Sequence, residues 1–331
     1  MRPFRAFRIH QDGGRIAARF DTLTLDDLAA GEVVIKVGYS TINFKDALAA
    51  TGTGKILRKY PLVGGIDLAG TVVSSSDPAF DVGQKVLVNG CGLSETHDGG
   101  YAEYARMKSD WVIPIPENLD EYQCMALGTA GYTAALAIHH MERNGQRPQN
   151  GEIIVTGATG GVGSLAIDML AGRGYQAVAV TGKQSAEAYL KQIGATRILP
   201  RDAINLGSRP LEEAQWAGAI DNVGGDLLAW LTRTTNIGGN IASIGMAASG
   251  ELKSTVFPFI LRGINLLGIN SVFTPRAERL EVWQRLATDL KPRHLDQIVT
   301  RTIGFDELPS AFGDYIKGAV TGRTVVRIGV A

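Results

Sequence analysis

Short apolar runs rich in β-branched residues alternate with glycine turns in the first third of the chain. Three such runs are residues 31–38, 70–74 and 83–90. Strands at this spacing, separated by Gly and Asp-Pro signals, are typical of a small antiparallel barrel. One helix is predicted to begin near Phe44, and the prolines within residues 111–116 keep that apolar run at a sheet edge or in a loop. The pattern therefore predicts a β-rich first region.

In the middle third, apolar strands alternate with helical segments. Helices are predicted at residues 163–172 and 185–194, the second of which ends at Gly194. The predicted strands are residues 153–156, 176–180, 197–199, 217–221, 239–244 and 266–270. Alternation of this kind indicates a doubly wound parallel sheet with right-handed crossovers.

The last part of the chain carries an amphipathic helix over residues 278–290 and an apolar run at residues 324–328. The final run is predicted to be a strand that returns to the barrel, because alone it would have no sheet to join. The fold class is therefore α/β, with a barrel-like β region beside the parallel sheet.

Composition excludes several classes of protein. A chain of 331 residues has room for about two domains. Its 33 basic and 33 acidic side chains cancel, so no global field favours nucleic acid or an acidic membrane, and no apolar run is long enough to span a bilayer. The two cysteines, Cys91 and Cys124, cannot form a disulfide framework or a cysteine-rich zinc site. Since the charged start lacks the apolar core of a signal peptide, the expected location is the cytoplasm.

Four glycines, Gly157, Gly160, Gly161 and Gly163, lie between the predicted strand at residues 153–156 and the helix that follows. A diphosphate needs close backbone N–H groups and the positive end of a helix, and glycine permits both the turn and the close approach. The spacing differs from the plain G-x-G-x-x-G of the common dinucleotide fingerprint, but the strand–loop–helix setting is the required one. The loop therefore predicts a dinucleotide site; the alternative is a tight turn that binds nothing.

The segment after the second of these strands carries no acidic residue that would bind the ribose hydroxyls of NAD. It contains instead Thr181, Gly182 and Lys183, and Arg201 follows the third strand. Cations and a hydroxyl group at this point suit a 2′-phosphate, so the predicted cofactor is NADPH. The alternative is that Lys183 and Arg201 are ordinary solvated charges.

Motifs along essentially the whole chain resemble the medium-chain dehydrogenase/reductase superfamily. They are Ala158-Thr-Gly-Gly-Val-Gly163, Gly128-Thr-Ala-Gly-Tyr-Thr-Ala134, Gly64-Gly-Ile-Asp-Leu-Ala-Gly70 and Gly99-Gly-Tyr-Ala-Glu103. A second set of motifs resembles the NADPH-dependent acryloyl-CoA reductase family, formerly grouped with the quinone oxidoreductases. This set is Asn43-Phe-Lys-Asp46, Leu199-Pro-Arg-Asp202, Trp216-Ala-Gly-Ala-Ile-Asp221 and Phe257-Pro-Phe-Ile-Leu-Arg262.

The resemblance implies a partly open, GroES-like β-barrel domain formed by residues 1–125 and 275–331, and a Rossmann NADPH-binding domain over residues 126–274. It implies hydride transfer from NADPH to the β-carbon of an activated C=C bond, with acryloyl-CoA as the leading substrate and propanoyl-CoA as the product. The partner is then a small acyl-CoA or enone, and two copies would pair through residues 266–272 as a homodimer. The alternatives are a quinone or general enone reductase and a nucleotide-binding protein without catalysis.

The same resemblance implies that Asn43 and Lys45 are catalytic, although a helix-capping role for Asn43 is an equal alternative. No metal is expected, because Asn43 and Ile66 stand where zinc-dependent members carry Cys and His, and an amide and an alkyl chain cannot form a zinc site. No tyrosine lies between Tyr39 and Tyr60, so water is the expected proton donor.

The residues implied for cofactor binding come from every part of the chain. They are Phe44, Thr129, Thr133, Thr159, Gly160, Gly161, Val162, Gly163, Thr181, Gly182, Lys183, Arg201, Asn222, Met246, Ser271 and Gly318. For Phe44, Thr129 and Thr133, the alternative is that the side chains only pack against their neighbours. A local basic patch of Lys55, Arg58 and Lys59 could contact the phosphates of CoA or be a solvated face.

Overall fold

The β-branched runs and helical segments form the elements of a mixed α/β protein in the computed structural model, which describes residues 2–329. The strands are β1 (Phe4–Asp12), β2 (Arg15–Leu23), β3 (Val33–Ile42), β4 (Leu62–Val63), β5 (Asp67–Ser75), β6 (Lys85–Asn89), β7 (Tyr104–Met107), β8 (Ile113–Pro114), β9 (Ile153–Val155), β10 (Ala177–Thr181), β11 (Ala195–Pro200), β12 (Trp216–Asp221), β13 (Thr235–Ser243), β14 (Asn265–Gly268), β15 (Val299–Gly304) and β16 (Arg323–Arg327). The helices are α1 (Phe44–Thr51), α2 (Glu121–Arg143), α3 (Gly161–Gly172), α4 (Glu187–Gln192), α5 (Gly225–Thr234), α6 (Phe257–Arg262), α7 (Arg276–Leu286), α8 (Leu295–Ile298) and α9 (Leu308–Ile316).

The described chain divides into two units. The first comprises residues 2–129, 272–281 and 299–329, and the second comprises residues 130–271 and 282–298. The family resemblance implies that all of residues 275–331 belong to the first domain. Residues 282–298 lie in the second unit because Trp283 is fully buried there and stacks on Tyr132, with the ring centroids 6.2 Å apart.

The first unit is built on two mainly antiparallel sheets. A three-stranded sheet has the order β2-β1-β4, and a seven-stranded sheet has the order β15-β16-β3-β5-β6-β8, with β7 also paired to β3. The predicted return of the chain end to this region is confirmed, because β16 pairs antiparallel with β3, Thr324 lying opposite Ile42. The short strand β8 lies at a sheet edge, as its prolines predicted.

The core of the first unit contains aromatic side chains from distant parts of the sequence. Phe7 lies between Phe20 and Phe312, at ring-centroid distances of 5.2 and 5.7 Å. Phe20 in turn meets the ring of Phe305 edge-on at 5.0 Å. Because Phe305 and Phe312 follow β15, this packing attaches the end of the chain to its beginning.

The second unit carries the predicted parallel sheet. Its strand order is β11-β10-β9-β12-β13-β14, and all of the pairs are parallel. Written in chain order this is 3-2-1-4-5-6, the doubly wound arrangement of dinucleotide-binding domains. The order reverses between β9 and β12, so the crevice beyond the carboxyl ends of these two strands is where the fold places a ligand.

The described residues include no helix that is both long enough and apolar enough to cross a membrane.

Candidate active site

The glycine loop joins β9 to α3 and requires glycine at two positions, Gly157 and Gly163. Gly157 has a φ of +61°, which L-residues rarely adopt, and a Cβ atom on Gly163 would lie 2.4 Å from the carbonyl oxygen of Gly157. Gly160 caps α3, whose first N–H groups have no intrahelical acceptor. The resulting cradle of bare backbone at a helix N-terminus fits a diphosphate.

A hydrogen-bonded cluster at the end of β12 holds the start of this loop. The Thr156 hydroxyl donates to Asp221 Oδ1 at 2.6 Å, and the backbone N–H of Gly224 donates to Asp221 Oδ2 at 2.9 Å. Burial raises the pKa of Asp221, and these hydrogen bonds oppose the rise. Thr156 and Asp221 were not singled out in the sequence, although their positions at the ends of adjacent parallel strands are the available signal.

Asn222 follows Asp221 and lies at the predicted crevice. Its amide nitrogen donates to the carbonyl oxygen of Thr156 at 2.8 Å. Its Oδ1 atom is buried and has no partner among the residues that the structure describes. A buried acceptor without a donor is unfavourable, so this atom suits a ligand hydroxyl group.

The end of β10 carries the residues that the sequence assigned to a 2′-phosphate. A Cβ atom on Gly182 would lie 3.1 Å from Nη2 of Arg201, so the guanidinium lies directly against the backbone at this point. The Lys183 N–H donates to the Thr181 hydroxyl at 3.0 Å, and partial burial lowers the pKa of the Lys183 ammonium group. A cavity of about 390 Å³ adjoins Arg201, and its other charged lining residues are Asp226, Glu251 and Lys253. Lys183 and Arg201, here called the cationic pocket, supply two cations at the end of β10, where residues 181–183 contain no acid that could bind a free ribose 2′-hydroxyl.

A second polar cluster, here called the buried network, lies in the first unit and centres on Asn43. Asn43 is the N-cap of α1 and its N–H donates to Asp46 Oδ2 at 2.8 Å. Its amide nitrogen donates to Asp67 Oδ2 at 2.7 Å, and its Oδ1 accepts from Arg323 Nη1 at 3.1 Å. The Asn43 side chain is thus engaged on both its donor and its acceptor atoms.

Asp67 links this network to the helical segment that follows Gly128. It accepts from the Thr129 hydroxyl at 2.6 Å and from the Thr129 N–H at 3.0 Å. Gly128 has a φ of +52°, and a Cβ atom there would lie 2.8 Å from both Asp67 Oδ2 and Arg323 Nη2. The carboxylate therefore caps a helix turn from a distant strand, at a point where only glycine leaves room.

Two carboxyl groups and one guanidinium share the buried network. Burial raises the pKa of Asp46 to about 7, and the negative charge of Asp67 adds to the rise against the hydrogen bonds from Asn43. Burial also raises the pKa of Asp67, while hydrogen bonds from Thr129 and the charge of Arg323 oppose it. The network therefore approaches charge balance when Asp46 holds a proton.

The other residues of the predicted site lie as follows. The ammonium of Lys45 forms an ion pair with Glu95, and the ring of Phe44 is 48% exposed. Met246 is 73% exposed, whereas Thr133 and Thr159 are buried. Val162 and Ser271 are half-buried, and Gly318 forms a left-handed turn after α9 with a φ of +65°.

The structure therefore groups most of the predicted cofactor residues around the glycine loop and the end of β10 in the second unit. In the first unit it brings Asn43 and Thr129 together through Asp67. The sequence did not assign Asp67 to the site. Within residues 2–329, no group of three His, Cys, Asp or Glu side chains is arranged to hold a metal ion.

Comparisons with known families match both units. Residues 29–117 match the family described as "Alcohol dehydrogenase GroES-like domain", and residues 161–288 match "Zinc-binding dehydrogenase". The second description is that of the family as a whole. In this chain, Asn43 and Ile66 occupy the places that the sequence analysis assigned to zinc ligands.

Curated relatives are similar over nearly the full chain. "Probable acrylyl-CoA reductase AcuI" from Escherichia coli is 47% identical, over 98% of this chain and 99% of its own length. "Putative quinone oxidoreductase YhfP" from Bacillus subtilis is 45% identical, over 98% of this chain and 99% of its own length.

Solved structures agree with this match. The YhdH oxidoreductase of Salmonella enterica, in complex with NADP, superposes with a TM-score of 0.95 at 46% identity, over 98% of this chain and all of that one. The structure of Bacillus subtilis YhfP, which has NAD bound, superposes with a TM-score of 0.96 at 44% identity, over 99% of this chain and all of that one. The predicted fold is thereby confirmed, and the chain belongs to the medium-chain dehydrogenase/reductase family, within the group that contains the acrylyl-CoA reductases and YhfP.

Proposed function

We propose that this protein is an NADPH-dependent reductase that converts acryloyl-CoA to propanoyl-CoA. The observation that carries the proposal is the 47% identity to the Escherichia coli protein named for this activity, which extends over 98% of the chain. The glycine cradle and the cationic pocket at the end of β10 support the cofactor half of the proposal.

The residues present fit NADPH. The backbone between Gly157 and Gly163, together with the N-terminus of α3, would hold the diphosphate. The loop is packed so closely that a Cβ atom on Gly163 would clash with it, so the diphosphate would face backbone at this point. Lys183 and Arg201 would bind the 2′-phosphate through charge-assisted hydrogen bonds. The free Oδ1 of Asn222 would accept from a hydroxyl group of the cofactor. When bound, NADPH supplies the hydride.

On the substrate side, the first turn of α1 supplies the donors. Its N–H groups at Phe44 and Lys45 have no intrahelical acceptor, and such groups stabilise a developing oxyanion. Asn43 fixes this turn through its bonds to Asp46 and Asp67, and Glu95 holds the Lys45 side chain in an ion pair beside it.

The reaction needs no metal on this scheme. As the new C–H bond forms at the β-carbon, the π electrons of the C=C bond move toward the thioester carbonyl and give an enolate. The α-carbon then takes a proton from water, the donor that the sequence favours because no tyrosine lies between Tyr39 and Tyr60. The thioester already polarises the double bond, so donors worth a few kcal/mol are sufficient.

Steady-state kinetics with NADPH test the substrate assignment. We expect kcat/KM for acryloyl-CoA to exceed that for a benzoquinone and for a simple enone by at least about 10-fold, which corresponds to 1.4 kcal/mol of transition-state binding. Formation of propanoyl-CoA is the control for the identity of the product. A higher kcat/KM for the quinone would replace the proposal with a quinone reductase, the activity named for YhfP.

The cationic pocket predicts a cofactor preference. We expect Lys183→Ala and Arg201→Ala each to raise the Kd for NADPH by about 10- to 100-fold, because a hydrogen bond to a charged group contributes about 1.5–3 kcal/mol. The Kd for NADH should change less than about 3-fold, since it has no 2′-phosphate. Lys191→Ala, in an exposed ion pair with Glu187, is the matched control, and calorimetry measures all three variants. Equal losses for the two cofactors would contradict the assignment.

We also propose that the protein is a homodimer that pairs along β14. This strand is the last in the order of the six-stranded sheet, and α6, which precedes it, exposes Ile260 at 72% and Leu261 at 59%. Light scattering should give twice the 35.3 kDa mass of the chain. Ile260→Glu should shift the protein toward monomer, whereas Val82→Glu, at an equally exposed position in the first unit, should leave the mass unchanged. A monomeric wild type would refute the pairing.

A further inference from the structure

Lys55, Arg58 and Lys59 form a cationic patch on the loop between α1 and β4. All three side chains are exposed, and residues 52–61 contain no Asp or Glu. Among residues 2–329 no carboxylate pairs with these three cations, whereas the neighbouring Lys45 is bound by Glu95. The chain as a whole has a formal net charge of zero, but this loop carries three positive charges and no negative one. The loop can therefore attract an anion.

The loop is held in place without a ligand. Leu57 is 2% exposed and belongs to a small apolar cluster with Ile9, Ala49 and Leu62. The backbone N–H of Arg58 donates to the carbonyl oxygen of Glu95 at 2.7 Å. Because the backbone on either side of the cations is already ordered, an anion that binds here need not organise the loop, which lowers the entropic cost of binding.

Glu95 also relates the patch to the proposed substrate site. Its carboxylate holds Lys45 in the first turn of α1, and its carbonyl oxygen holds Arg58 in the loop. The two ends of α1, an eight-residue helix about 12 Å long, thus adjoin the proposed thioester site and the cationic patch. Since Glu95 neutralises Lys45, the unpaired cations of the loop are better suited to bind phosphate than Lys45 is.

We propose that Lys55, Arg58 and Lys59 bind the 3′-phosphate and diphosphate of a CoA thioester; this inference rests on the proposed function. In such a thioester, the pantetheine arm separates the acyl group from the phosphates. Cations that bind the phosphates must therefore lie at a distance from the reacting carbon, as these three do at the far end of α1. The guanidinium of Arg58 can bind two oxygens of one phosphate, and the two lysines act as point charges. The patch then selects CoA thioesters over small enones of the same reactivity.

The test combines three substitutions, Lys55→Ser, Arg58→Ser and Lys59→Ser, with two substrates. Acryloyl-pantetheine carries the same acyl group and arm as acryloyl-CoA but lacks the phosphorylated nucleotide. We expect the triple variant to lose about 30-fold more kcat/KM with acryloyl-CoA than with acryloyl-pantetheine, mainly through KM. The salt dependence of kcat/KM for acryloyl-CoA should also become shallower. Lys36→Ser, at an exposed lysine of β3 in the same unit, should match the wild type with both substrates.

A binding experiment separates the patch from the proposed reaction. Free CoA is titrated calorimetrically into protein saturated with NADPH, so that the cofactor site is blocked. We expect at least about 10-fold weaker binding of CoA to the triple variant than to the wild type and to Lys36→Ser. Equal affinities, or no binding to the wild type, would overturn the proposal. If the patch binds CoA but the enzyme prefers quinones, the proposed function fails and the patch stands; if acryloyl-CoA turnover is unchanged in the triple variant, the patch fails and the function stands.

Discussion

Replacement of Asp67 by alanine is expected to lower the free energy of unfolding of the first unit by about 3–5 kcal/mol, the range for leaving a buried charge uncompensated. The Asp67 carboxylate accepts from Asn43 at 2.7 Å and from the Thr129 hydroxyl at 2.6 Å. Its negative charge also balances that of the buried Arg323. Without it, the guanidinium stays buried beside the Asn43 amide with less compensating charge, and a helix turn loses its cap.

Urea unfolding followed by circular dichroism measures this loss. The control is Asp306→Ala, which removes the partner of Arg5 from an ion pair whose side chains are 46% and 75% exposed. An exposed ion pair contributes at most about 1 kcal/mol, so the free energy of unfolding of the control should be close to that of the wild type. If Asp67→Ala were no more damaging than Asp306→Ala, the buried network would not be a determinant of stability.

Gly163→Ala is expected to weaken the binding of both NADPH and NADH by at least about 100-fold, or about 2.8 kcal/mol. The added Cβ atom would lie 2.4 Å from the Gly157 carbonyl oxygen and 2.8 Å from the Cα atom of Ala158. Both neighbours are backbone atoms, so α3 or the loop must shift, and the diphosphate cradle loses its shape. Overpacking of this kind also costs about 1–3 kcal/mol of stability.

Gly172→Ala is the matched control, because it changes the same residue type at the other end of α3. The nearest atom to its Cβ position is Arg293 Nε at 3.6 Å, an ordinary contact. Calorimetric titration with each nucleotide should leave this variant close to the wild type. The loss of both nucleotides in Gly163→Ala, in contrast to the selective loss expected for Lys183→Ala, distinguishes the diphosphate cradle from the 2′-phosphate pocket. Wild-type affinity in Gly163→Ala would contradict the assignment of the loop.

Much of the fold could be predicted from local pattern. The predicted strand at residues 217–221 matches β12 to within one residue, and the predicted helix at residues 163–172 begins two residues earlier as α3. The strand was predictable because a strand that is buried on both faces of a parallel sheet is a continuous apolar run. The helix predicted at residues 278–290 begins two residues earlier and ends at Leu286 instead.

The chemistry of the glycine loop was also local. The residues that make its turn are consecutive, and glycine is required by a backbone conformation and a close approach within a few residues. The buried network was not predictable in this way. Asn43 meets Asp67 across 24 positions of sequence and Arg323 across 280 positions, and neither distance leaves a periodic or motif signal.

The sequence by itself determined the parallel sheet, the diphosphate cradle and the absence of an acid at the end of β10, because hydrophobic period and glycine conformation act over neighbouring residues. Only the tertiary structure decided which polar groups are already engaged. Asn43 is bound on both its donor and its acceptor atoms and Lys45 is neutralised by Glu95, whereas no carboxylate of residues 2–329 pairs with Lys55, Arg58 or Lys59. The physical reason is that a side chain's availability for a ligand depends on partners that the folded chain brings beside it from far away in sequence.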